Sequence, residues 1–127
     1  MKKPYTLTLL VLLGILCLTL VNDLSVNKNT ARWCGQLQQA VFFVEAEAWD
    51  QAETVLKESY ADWSAHQTYL HIISTHDEIN AAESMYHRAL AFAAVREPSE
   101  LQAEVTGLQA QLKFLAEMEG FSIRNIL

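Results

Sequence analysis

The chain has 127 residues, enough for one well-filled domain beside a targeting segment and too few for two. Fifteen acidic side chains against nine basic ones give a formal charge of −6 at pH 7. An acidic balance of this kind is repelled by phosphate backbones and anionic headgroups, which sets nucleic acid aside as a partner.

The first element is an apolar run. Nineteen residues between Lys3 and Asp23 carry no charge, and the segment from Tyr5 to Val21 is almost wholly Leu, Val, Ile and Thr. As a helix its seventeen residues reach about 25 Å, the short end of a bilayer span. A signal peptide would place small residues at an A-x-A-like cleavage site, but the exit reads Val21-Asn22-Asp23-Leu24-Ser25-Val26. Cys17 lies inside the run after Leu16, which does not suit a lipoprotein signal. The segment therefore predicts an uncleaved anchor. Lys2 and Lys3 before it and Asp23 after it place the N-terminus in the cytoplasm. Pro4 suits a first helical turn and Tyr5 an interfacial aromatic position. The expected organisation is a cytoplasmic N-terminus at 1–4, a transmembrane anchor at 5–21, a juxtamembrane linker at 22–29 and an extracytoplasmic helical domain at 30–127. All fifteen acids but only seven of the basic residues follow the anchor, so that part carries a formal charge of −8.

Two prolines and four glycines leave few breaks, and no alternating strand pattern persists. Asn27-Lys28-Asn29-Thr30 predicts a break with an N-cap, followed by a helix whose face is Trp33, Leu37, Ala40, Val41 and Val44, widened by Phe42 and Phe43. A second helix starts near Trp49 with Ala52, Leu56, Trp63 and Leu70 on one side, flanked by Tyr60. Trp49-x-x-Ala52 looks like the turn of a tetratricopeptide repeat, but no second copy follows at the period such arrays need. A third helix opens at the capping box Thr75-His76-Asp77-Glu78, with Ile79, Ala82, Tyr86, Ala89, Leu90 and Ala93 as its apolar face. The fourth begins at Pro98-Ser99-Glu100, where proline suits the first turn and glutamate the positive dipole end. Leu101, Val105, Leu108, Leu112 and Leu115 form its seam, Gly107 points to a close backbone approach, and Gly120 is a C-cap. Beyond it Phe121, Ile123, Ile126 and Leu127 make an apolar tail expected to dock in a groove of the bundle, the alternative being an exposed hook for a partner. Short connections make successive helices antiparallel, so the fold class is all-α: an N-terminal transmembrane helix followed by a bundle of about four helices, built as two αα-hairpins.

The order of Met1-Lys2-Lys3 and the apolar run, Trp49-x-x-Ala52, Trp63, His76-Asp77-Glu78-Ile79, Lys113-Phe114-Leu115 and the ending Ser122-Ile123-Arg124-Asn125-Ile126-Leu127 covers the chain nearly end to end. In these features it resembles a bacterial domain-of-unknown-function family of small membrane-anchored helical proteins, mostly from Firmicutes. That resemblance implies a membrane-anchored helical module and supplies no activity.

Residues able to carry chemistry are sparse. His76, Glu83 and His87 recur at i, i+7 and i+11 and are the candidate metal ligands, opposed by the fact that the core face of the same helix lies elsewhere. His66 and His71 do not align on a helix, and Ser64 and His66 are too close in sequence for a nucleophile and its base. Glu117 and Glu119, near a helix end, read as hydrated carboxylates. There is no phosphate-binding glycine loop, and no enzyme or cofactor is expected. Trp33, Trp49 and Trp63 read as core, with Phe42, Phe43 and Trp49 as an alternative partner-contact patch. Cys34 reads either as a small buried hydrophobe or as the site of an intermolecular disulfide between two anchored copies. The functional expectation is a membrane-anchored binding or assembly module whose partner is another envelope protein or a second copy. The alternative is a small-molecule or metal-sensing domain of the envelope.

Overall fold

The computed structural model describes the backbone of residues 2–66 and 76–126, and the side-chain surroundings of residues 5–18, 28–66 and 76–119. All regular structure among the described residues is helical: α1 (Lys2–Glu45), α2 (Trp49–Ala65), α3 (His76–Ala94) and α4 (Pro98–Ile126).

Helix α1 is longer than its sequence pattern suggests. It runs for 44 residues, about 66 Å, straight through Asn27-Lys28-Asn29-Thr30, where a break and a linker at 22–29 were expected. Each of these polar residues costs only a few tenths of a kcal/mol in a helix interior. Continuing the helix places Thr30 at the head of the buried row Thr30, Trp33, Leu37, Ala40 and Val44, and tertiary packing overrides local preference.

The other helices start and pack much as patterned. Pro98 and Glu100 occupy the first turn of α4, while α2 begins without a side-chain cap and carries Asp50 in its first turn. Ala52, Leu56 and Trp63 of α2, Ile79, Ala82, Tyr86, Ala89 and Ala93 of α3, and Leu101, Val105, Leu108, Leu112 and Leu115 of α4 are buried. Trp49 and Leu90 are half-buried at the margin. Leu70 and the proposed cap at Thr75 lie outside the described residues. Two expectations about glycine fail. A side chain at Gly107 would meet open space, so no close approach requires it. Gly120 does not cap α4, which continues to Ile126; the side chains of the tail, on which its expected docking turns, lie outside those described.

The two tight turns are built alike. After α1, the Ala48 N–H donates to the Phe43 carbonyl at 2.8 Å and the Glu47 N–H to the Val44 carbonyl at 3.0 Å. After α3, the Glu97 N–H donates to the Phe92 carbonyl at 3.0 Å and the Arg96 N–H to the Ala93 carbonyl at 3.2 Å. Both are Schellman closures, and their left-handed residues are Glu47 (φ 60°) and Arg96 (φ 57°) where glycine is the usual choice. A residue with a Cβ in that conformation costs about 1–2 kcal/mol, held in place here by the packed hairpins on either side.

Packing joins α1 to α2, α2 to α3, α3 to α4 and α4 back to α1, with no contact across the diagonals among the described residues. This is an up-down-up-down square of two αα-hairpins. A hidden regularity relates them. Every buried position from Thr30 to Trp63 has a buried counterpart 49 residues later, from Thr30/Ile79 through Leu37/Tyr86 and Ala52/Leu101 to Trp63/Leu112. Glu47 and Arg96 obey the same offset. The paired residues differ in size, with Trp33 matched by Ala82 and Trp63 by Leu112, so the hairpins share a register while their sequences diverge.

Candidate functional site

The most unusual surface is the N-terminal part of α1. Apart from the half-buried Ile15, the large apolar side chains from Tyr5 to Leu18 are bare, from 49% exposed at Leu13 to 80% at Tyr5. Five of them, Leu9 to Leu13, are consecutive, so they cover every side of the helix. A helix that is apolar all round normally lies in a protein core or in lipid. No other described element covers this one, and it continues without interruption into the row that packs the bundle. Among the described residues no helix is long and apolar enough to cross a membrane; the described apolar stretch ends at Leu18.

Two of the polar clusters on the bundle contain histidine. On α1 and α2, Arg32 grips Asp62 with Nε at 2.6 Å and Nη2 at 3.0 Å, and reaches Asn29 Oδ1 at 3.0 Å. Hydrogen bonding to this guanidinium holds Asp62 below the usual carboxylate range. His66 lies within hydrogen-bond distance of the Asp62 carbonyl, with Nδ1 at 2.8 Å, and sets its ring edge-on to Trp33. On α2 and α3, the Tyr60 hydroxyl donates to Glu83 Oε1 at 2.9 Å, and its ring lies against His87 at 5.1 Å between centroids. Burial, then the hydrogen bond to Glu83, push the Tyr60 hydroxyl up.

This second cluster is where the metal reading meets its geometry. Glu83 and His87 do come together, 3.8 Å apart, but their third partner is Tyr60. His76 stands two helical turns before Glu83, about 10 Å along the axis, whereas two ligands of one ion lie within about 4 Å. Among the described residues no group of three or more His, Cys, Asp or Glu side chains is placed to hold a metal.

Of the suggested contact residues, only Phe42 is largely exposed; Phe43, edge-on to it at 6.0 Å, and Trp49 are half-buried against the core. Trp49 lines shallow depressions at the turn end of the bundle together with Glu47, Arg96 and Pro98. Cys34 is half-buried against α4, its Sγ 3.9 Å from the Gln109 carbonyl, and burial pushes its thiol up. Gln109 returns a hydrogen bond from Nε2 to the Cys34 carbonyl at 3.1 Å. This position suits the packing reading of Cys34 better than an exposed disulfide.

Three features were not read from the sequence. Ser59 sits fully buried, with Oγ 2.9 Å from Tyr86 Oη. Arg32 and Asp62, thirty residues apart, are joined only by the hairpin. Glu119, expected to be hydrated, is 3% exposed, its Oε1 has no hydrogen-bond partner among the described residues, and burial pushes its carboxyl up to about 7. The last was open to detection, since Glu119 continues the four-three alternation of Leu108, Leu112 and Leu115.

Comparison with curated proteins and with solved structures finds no match. A family model does match, over residues 22–126, which takes in the whole bundle and leaves out the exposed apolar segment. The chain therefore belongs to the family described as a domain of unknown function, DUF4363.

Proposed function

We propose that this protein is a single-pass, membrane-anchored module of the bacterial cell envelope, with its helical bundle on the extracytoplasmic side, and that it works by binding rather than catalysis. Its partner is another envelope protein or a second copy of itself. The observation that carries this reading is the bare, all-round apolar half of α1, which passes without a hinge into the first helix of the bundle. The apolar sequence itself runs on to Val21, so the segment has the length of a short span. An unbroken helix transmits the position of the bilayer directly to the bundle, holding it at a set height and tilt. That suits a fixed docking platform better than a mobile catalytic domain. The acidic bundle surface and the exposed Phe42 give a partner both charge and an apolar hold.

The test is topological. Full-length protein with Cys17 and Cys34 replaced by serine receives one cysteine at the exposed Ser99. An impermeant thiol reagent is expected to label it in intact cells, and the protein is expected to stay in membranes through an alkaline carbonate wash. Labelling only after lysis would overturn the extracytoplasmic placement. Release by carbonate, or a mature form lacking the first 25 or so residues, would overturn the anchor.

A further inference from the structure

We infer that the C-terminal end of α4 is a second membrane contact, lying in the lipid interface beside the anchor. The inference rests on the anchor reading above and begins from the register of α1 against α4. These helices run antiparallel, and the mutual contacts of Cys34 and Gln109 put those two residues at one level. Both continue unbroken from there, α1 back to Lys2 and α4 on to Ile126. Seventeen residues beyond Gln109, about 25 Å along the axis, Ile126 comes level with Cys17, inside the apolar run.

An independent observation meets the first at the same height. On α1 the first charge after the apolar run is Asp23. The same register puts Asp23 level with Gly120, and the last acidic residue of α4 is Glu119. Acidic side chains therefore stop near one plane on both helices, the last exposed one on α4 being Glu117, less than one turn before the buried Glu119. Beyond that plane the sequence reads Gly-Phe-Ser-Ile-Arg-Asn-Ile-Leu, four large apolar residues in eight with Arg124 as the single charged side chain. Arginine is the ion best tolerated at this depth, because a long stem lets its head reach the phosphates. Because the chain as a whole is acidic, the attraction is apolar and does not need an anionic lipid. Two contacts in place of one would fix the bundle against rotation about the anchor axis.

Depth measurement tests this on the full chain. Single cysteines at Leu12, Ser99, Asn125 or Ile126, with Cys17 and Cys34 replaced by alanine, are spin-labelled and the protein is reconstituted in phosphatidylcholine vesicles. Collision rates with oxygen, which concentrates in lipid, are compared with those of a water-soluble nickel chelate. The oxygen-to-nickel ratio at Ile126 is expected severalfold above that at Ser99 and approaching that at Leu12, with Asn125 between. A ratio at Ile126 and Asn125 equal to that at Ser99, with Leu12 still in lipid, overturns this proposal and leaves the anchor standing. Shielding from both reagents also overturns it, assigning the helix end to the bundle or to a second copy. Exposure of Leu12 to nickel would overturn the anchor and this inference together.

Discussion

Replacing Tyr86 by Phe deletes one atom from the centre of the bundle and should reveal how a buried hydroxyl pair behaves. The Tyr86 Oη and Ser59 Oγ are 2.9 Å apart, and both residues are fully buried. The ring packs against Trp63 at 5.4 Å and Tyr60 at 5.5 Å between centroids, so phenylalanine keeps the shape of the core. Burial holds the Tyr86 hydroxyl far above its usual range, and it stays neutral and hydrogen-bonded at any working pH. A typical internal hydrogen bond contributes about 1 kcal/mol net, whereas one buried partner left alone costs about 1–3 kcal/mol. Tyr86→Phe and Ser59→Ala should therefore each destabilise by about 1–3 kcal/mol, because each leaves an orphan. The double variant leaves none, and should be no less stable than the worse single. The expected coupling in the double-mutant cycle is about 1–2 kcal/mol. The assay is denaturant unfolding of the full chain in mild detergent, followed by fluorescence of the buried Trp33 and Trp63. Additivity of the two single losses within about 0.5 kcal/mol would refute the argument, showing that each hydroxyl finds another partner.

Trp63 and Leu108 are both fully buried, so truncation to alanine should cost about 3–5 and 2–5 kcal/mol respectively in the same unfolding assay. Gly107→Ala should stabilise by about 0.5–1 kcal/mol, since the added methyl meets open space and the helix gains propensity; a loss would reveal an unrecognised requirement for glycine. Glu119 makes stability depend on pH. Its carboxyl titrates near 7 in the fold and near 4.5 when unfolded, so its burial is best tolerated below pH 4.5, and stability falls as pH rises toward 7. The fall is about 3 kcal/mol at most, and Glu119→Gln should remove that slope and be the more stable protein at pH 8, seen as a higher Tm. The Asp62 contribution runs the other way and fades only as pH falls below the ordinary carboxylate range, outside this window.

Much of the bundle follows from the sequence alone. The spacing of Leu101, Val105, Leu108, Leu112 and Leu115 can be satisfied only by burying one stripe of a helix, and the same holds for Ile79 through Ala93. Pro98 and Glu100 mark the start of α4 by chemistry that needs no partner. The apolar character of the first segment is likewise written in its side chains. What tertiary structure decided is where competing local and global terms meet. Asn27 to Thr30 could stop a helix and do not, because Thr30 gains a place in the core row. Gly120 could end α4 and does not. Glu47 and Arg96 take a glycine conformation because the hairpins must turn there. Glu83 and His87 face Tyr60 rather than His76, since the neighbour of a helix supplies closer partners than its own residue two turns away. The 49-residue register of the two hairpins escapes the sequence because burial constrains which positions face inward, while the summed volume of each layer, not the identity of either residue, is what packing requires.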